Sequence, residues 1–146
     1  MTHYLLDTNV ISEVTRLRPL PAVVDWLGQQ LDTDLFISAL TLAEIKRGIL
    51  EKASGRKRSE LERWFSGPDG PQMLFRGRVL AFEEQAASEW AKIMADGTSI
   101  GQPRSALDMV IAATAAANQC VVVTLNGRHF QGVVDLLDPR EATRES

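Results

Sequence analysis

The sequence predicts an α/β layered domain with a mainly parallel sheet, on three observations. Short apolar runs alternate with longer stretches whose apolar residues recur at helical spacing. The strongest run, CVVVT at 120–124, is mostly β-branched and lacks polar alternation, as expected of a strand buried on both faces. The chain's 146 residues suit one core, so 1–146 is read as a single domain, with right-handed crossovers joining its strands.

In chain order, HYLL at 3–6 is a strand candidate, and Asn9 to Thr15 carry Val10, Ile11 and Val14 at helical spacing. Pro21 stands where a helix begins, with Val23, Val24, Trp26, Leu27 and Leu31 as its apolar face before the polar DTD of 32–34. Leu35 to Ser38 is a second strand. The helix after it, TLAEIKRGILEKA at 41–53, has the stripe Leu42, Ile45, Ile49 and Leu50 and ends before Gly55. RKRSELERWFS at 56–66 is a helix with Leu61, Trp64 and Phe65 on one side, for which packing is expected over base stacking, and GPDGP at 67–71 is a loop.

Val79 to Phe82 is a third strand. Glu83 to Ala95 is a helix with Ala87, Trp90, Ala91 and Met94 inward, followed by the loop GTSIGQP at 97–103. Residues 105–119 are helical and rich in alanine, which permits close packing against a neighbour. CVVVT and Val133 to Leu137 complete the strands.

Composition narrows the function classes. With 45% hydrophobic and 24% charged residues the chain is an ordinary globular one, and its charge-free stretch 109–127 reads as helix then strand instead of a membrane span. No signal pattern follows Met1, so a cytoplasmic location is expected. The single cysteine, Cys120, is expected to be a small core residue. The net charge of −3 argues against binding nucleic acid by bulk charge alone, yet residues 46–78 hold nine Lys/Arg against four Asp/Glu. That segment is either a solvated helix surface or a patch facing a polyanion.

The acids carry the chemistry. In a parallel sheet, side chains just beyond the carboxyl ends of strands gather at one edge, where ligands bind. Asp7 follows the first strand, Glu44 lies in the first turn of the helix after the second, and Asn126 follows CVVVT. Asp108, in the first turn of the alanine-rich helix, joins them only if its entry loop crosses the sheet edge. Neighbouring carboxylates raise one another's pKa unless a cation neutralises them. Mg²⁺ or Mn²⁺ suits such oxygen ligands and keeps open positions for phosphate and an attacking hydroxide, which points to phosphodiester hydrolysis. A purely structural role exists for two acids, because Thr41-x-x-Glu44 and Ser105-x-x-Asp108 both fit the capping box. Asp7 is harder to explain so, since Thr8 or Asn9 would start its helix better, although a turn aspartate stays open.

LLDTNVIS at 5–12, LFISALTLAEIKRGI at 35–49, D-x-x-I-A-A-T at 108–114 and V-V-T-L-N-x-x-x-F at 122–130 together resemble PIN-domain proteins of the VapC/FitB type, the toxin half of bacterial toxin–antitoxin pairs. P-x-x-V-x-W-L at 21–27, L-x-x-W-F at 61–65 and F-R-G-R-V-L at 75–80 extend the resemblance along nearly the whole chain. It implies a PIN-like fold with a parallel five-stranded sheet, and a metal-dependent endoribonuclease, usually dimeric and silenced by a cognate antitoxin whose C-terminal segment enters the active-site groove. Asp7, Glu44 and Asp108 match the family's three principal acids, and Thr124 and Asn126 its T-x-N/D turn. Relatives often have an acid at the position of Asn126 or of His129, and neither is acidic here, which puts a second tightly held metal in doubt.

The resemblance implies that Asp7 and Asp108 hold Mg²⁺ or Mn²⁺ directly or through water, while Glu44 completes the shell or acts as general base. Asn126 and Thr124 would orient them, Asn9 would support them, and Arg104 would steady a phosphate or simply be solvated. Lys46, Arg47, Arg56, Lys57 and Arg58 would guide RNA or meet an acidic antitoxin. For His129, phosphate contact is weighed against a surface or packing role. Haloacid-dehalogenase-type phosphatases also carry an aspartate after the first strand, but they expect a second two residues on, where Asn9 stands. A degenerate domain that binds RNA or protein without cutting is the remaining alternative.

Overall fold

The computed structural model describes residues 1–142; the last four residues of the expected 1–146 domain lie outside that range. Strand β1 (His3–Leu6) leads into helices α1 (Thr8–Val14) and α2 (Pro21–Gly28), then a 3-10 turn at Asp32–Asp34 and β2 (Leu35–Ser38). Helices α3 (Ala39–Leu50), α4 (Arg56–Ser66) and α5 (Pro71–Leu74) precede β3 (Val79–Leu80). Helices α6 (Glu84–Ser99) and α7 (Ala106–Ala117) are followed by β4 (Cys120–Val123), a 3-10 turn at Gly127–Phe130, β5 (Leu136–Leu137) and α8 (Pro139–Ala142).

The strands form one sheet in the order β3-β2-β1-β4-β5, with every pairing parallel. The expected parallel five-stranded α/β fold is therefore present. The longest register, His3 opposite Cys120 through Leu6 opposite Val123, joins the chain's beginning to its last third. Winding proceeds outward from β1 through β2 to β3, then resumes on the other side with β4 and β5. The order reverses between β1 and β4, and the crevice beyond such a point is where parallel sheets bind ligands.

Because successive strand residues point to opposite faces, neighbours in sequence enter different cores. Leu5 and Val122 pack with Ile93 of α6 and Met109 and Ala112 of α7. Leu6, Val123 and Ile37 pack on the other side with Val10, Trp26, Ile45 and Phe65. Full burial of each such large side chain contributes on the order of 2 kcal/mol. Helix α7 has Ala112, Ala113 and Ala115 fully buried, and it packs closely on α6 as its small residues predict. Cys120 is a buried free thiol, pushed above its ordinary pKa by that burial and so kept protonated, in line with a core role.

Several local expectations need correction. Helix α1 starts at Thr8 with Asp7 itself as its N-cap, because the Asp7 side chain accepts from the Thr8 N–H. Helix α3 starts at Ala39, capped by Ser38, so Glu44 lies in its second turn and the Thr41 capping box does not form. Val24, Leu31 and Leu50 are exposed. The four-residue helix α5 was not foreseen, and β3 and β5 are two residues each, shorter than the apolar runs containing them. Helix α6 continues through Gly97 to Ser99, and its buried face is Ala86, Ile93 and Gly97, with Ala91 outward. Among the described residues no helix is long and apolar enough to cross a membrane.

Candidate active site

Asp7 stands where β1 ends and α1 begins, at the reversal of strand order. Its N–H donates to Val123 O at 2.8 Å, which extends the β1–β4 ladder by one step and fixes the residue's backbone. The residue is only 7% exposed, and its carboxylate accepts two short hydrogen bonds, from Thr8 N at Oδ1 and from the Thr124 hydroxyl at Oδ2, both 2.8 Å. Burial holds the Asp7 carboxyl above the usual aspartate range; the two hydrogen bonds oppose that shift, and the charges of Asp108 and Glu44 add to it.

Thr124, fully buried just beyond β4, uses its whole hydrogen-bonding capacity there. The hydroxyl donates to Asp7 and accepts from Asn126 N at 3.0 Å and Asn9 Nδ2 at 3.2 Å. Asn9 in turn accepts from Leu125 N at 3.2 Å. One threonine thus ties the ends of β1 and β4 to the turn carrying Asn126.

Glu44 reaches the same edge from α3. Its Oε1 accepts from the Thr8 hydroxyl at 2.7 Å, and that hydroxyl lies 3.3 Å from Thr41 Oγ1, itself 3.1 Å from Ser38 Oγ. Thr8 therefore touches two acids at once, with its backbone on Asp7 and its side chain on Glu44. Asp108 arrives on the first turn of α7, where Ser105 accepts from its N–H at 3.4 Å, half of the expected capping box. Its carboxylate pairs instead with His129, Oδ2 lying 2.9 Å from Nδ1. Asn126 Nδ2 lies 3.2 Å from Nε2 of the same ring. The neutral tautomer protonated on Nδ1 satisfies both contacts, with Asn126 donating to His129 and His129 to Asp108.

Asp7, Glu44, Asp108, Thr124, Asn126 and Asn9 are thus brought to one edge of the sheet. Arg104 is turned to other work: its Nη1 donates to Ile93 O at 2.7 Å, and its aliphatic carbons cover Gly97. Thr8 as a link between Asp7 and Glu44, and His129 as the partner of Asp108, are the roles the sequence did not reveal. Thr8 was weighed only as a helix start, and His129 has no link to Asp108 until the turn after β4 brings them together.

The donor set suits a hard divalent cation: oxygen ligands, and a carboxylate that burial pushes toward its neutral form, with the charges of Asp108 and Glu44 adding to the shift. Among the described residues, no three His, Cys, Asp or Glu side chains are gathered tightly enough to enclose an ion by themselves. An ion that retains several waters, as Mg²⁺ does, needs no such enclosure.

The PIN-domain family profile matches residues 4–135. The chain is 34% identical over 138 residues to VapC ribonuclease Y4jK of Sinorhizobium fredii, covering 94% of this chain and 97% of that protein. It is 37% identical over 136 residues to Toxin FitB of Neisseria gonorrhoeae, covering 92% and 96%. The crystal structure of FitAcB from Neisseria gonorrhoeae aligns with a TM-score of 0.85 at 36% identity, over 93% of this chain and 97% of that one.

Proposed function

We propose, from the premise that this chain belongs to the PIN-domain family and is related to the VapC and FitB toxins, that it is a metal-dependent endoribonuclease acting as the toxin of a toxin–antitoxin pair. The observation that carries the catalytic part is the buried Asp7 carboxylate, held by Thr8 and Thr124 and raised in pKa by burial with Asp108 and Glu44 nearby. The ribonuclease and toxin names of its relatives support the activity. The two-component FitAB assemblies support a cognate antitoxin as partner. Pairing of two copies into a homodimer belongs to the same proposal.

Asp7, Glu44 and Asp108 would hold Mg²⁺ or Mn²⁺, which when bound supplies an acidified water and charge neutralisation at the phosphate. Glu44 accepts the proton of the attacking water on the oxygen that Thr8 does not occupy. Water attack at phosphorus breaks one P–O ester bond of RNA, and the departing oxygen takes up a proton. Thr8 and Thr124 fix two of the acids before substrate arrives, so little reorganisation is needed at the moment of reaction. His129 and Asn126 orient Asp108 without adding negative charge.

The test is incubation of the purified chain with structured RNAs in Mg²⁺ or Mn²⁺ and in EDTA, beside Asp7→Asn. Cleavage should depend on the metal and fall by at least about 100-fold in the variant, as expected when an interaction made in the transition state is lost. Cleavage that survives Asp7→Asn overturns the assignment. A folded, metal-bound chain that cuts no RNA would favour a binding module, for which the uncharged Asn126 is the motive.

A further inference from the structure

A groove of about 270 Å³ runs away from the acid cluster between α1 and α3. One wall is Thr8, Ser12 and Thr15 of α1 and its cap, and the other is Glu44, Gly48 and Lys52, spaced i, i+4, i+8 along α3 and just past its end. The half-buried Trp64 and Leu61 close the groove from α4.

Gly48 is the informative residue. It lies inside the last turn of α3, has no positive φ, is not the C-cap, and a Cβ built on it meets nothing within 4 Å. Glycine is the poorest helix former after proline. Among the described residues nothing meets that position, so the bare backbone of Gly48 lies open on the wall of the groove. Beyond it, among the described residues, Lys52 makes no salt bridge.

We infer that this groove is the track of the RNA strand, its sugar–phosphate backbone crossing Gly48 and a phosphate reaching Lys52, about 12 Å from Glu44 at helical rise. The inference rests on the ribonuclease assignment for the chemistry at Glu44. Hydroxyls and a lysine are the side chains that contact phosphate and sugar. An apolar protein segment is better suited by a separate cavity of about 450 Å³, lined by Ile11, Val14, Leu27, Leu74 and Phe75 among others.

The experiment is fluorescence anisotropy of a labelled single-stranded RNA with the full chain in EDTA, and with Asp7→Asn in Mn²⁺, each carrying Gly48→Phe, Gly48→Ala or Lys52→Gln. Gly48→Phe should weaken binding by about tenfold or more without lowering the thermal unfolding midpoint, whereas Gly48→Ala should bind as the parent does. Lys52→Gln should reduce the slope of log K against log salt by about 0.7, the share of one phosphate on a single strand. Unchanged RNA binding in Gly48→Phe and Lys52→Gln overturns the groove, as does failure of the parent to bind RNA. If the parent cuts RNA while those variants bind normally, the groove falls and the ribonuclease assignment stands. If Gly48→Phe blocks binding but no RNA is ever cut, the reverse holds.

Discussion

Asp7 and Asp108 approach the same sheet edge under opposite restraints. Asp7 is 7% exposed, and its carboxylate accepts from Thr8 and Thr124, both fixed at the ends of central strands. Asp108 has a side chain 27% exposed, and its partner is the imidazole of His129, itself half exposed in the turn after β4. One acid is set by folding the core, the other by a surface contact that can be re-aimed without disturbing it. The difference teaches that one sheet edge can combine a rigid anchor with an adjustable arm.

The anchor is the place to break this contrast most severely. Thr124→Val keeps the shape but removes one donor and two acceptor sites used by three groups, so Asp7 Oδ2, Asn126 N–H and the Asn9 amide all lose a partner. Unfolding free energy should fall by about 2 kcal/mol, the usual cost of leaving buried polar groups unpaired. Urea titration measures it, and an unchanged midpoint would show that water replaces the hydroxyl.

A smaller effect sharpens the contrast through pH. Because burial raises the Asp7 carboxyl, the native chain binds that proton more tightly than the unfolded chain does. The contribution is fully favourable below the unfolded value of about 3.9 and is lost as pH rises through the folded value. In EDTA, the stability of the parent minus that of Asp7→Asn should therefore decline as pH rises from about 3 to about 7. A flat difference would count against a raised Asp7.

The smallest change is expected at the arm. His129→Gln should leave stability within about 0.5 kcal/mol, as surface substitutions do. RNA hydrolysis should drop several-fold with little change in RNA affinity, and partial recovery by His129→Asn would mark loss of orientation as the cause. A stability loss as large as that of Thr124→Val would erase the distinction between the two acids.

Much of this was legible in the chain itself, and the exceptions have physical causes. Strands β1, β2 and β4 were read nearly to the residue because apolar, β-branched runs have little else to do. Asp7, Glu44 and Asp108 were legible as candidates by their positions relative to those runs. Gly97 misled: it looks like a loop signal, yet in α6 it lets Arg104 approach so closely that a Cβ would lie 3.1 Å from that side chain's carbons. Glu44 resembled a cap until Ser38, one residue before α3, took that task. Within the basic segment, three of the nine cations have partners inside the chain that the count alone does not reveal. Arg47 and Arg58 pair with Glu51 and Glu62, and Arg78 donates to the carbonyls of Leu35, Asp32 and Leu74 while lying over the Phe75 ring. Net charge from composition cannot distinguish a free cation from one occupied by main-chain oxygens.

The brevity of the outermost strands has a consequence for assembly. β3 and β5 contribute two residues each, so neither margin of the sheet exposes a ladder long enough to recruit a further strand. Edge-to-edge β-addition is thereby blunted at both sides. What the two margins leave for contact with other molecules is chiefly helix and turn surface, where side-chain identity, not backbone pairing, sets selectivity.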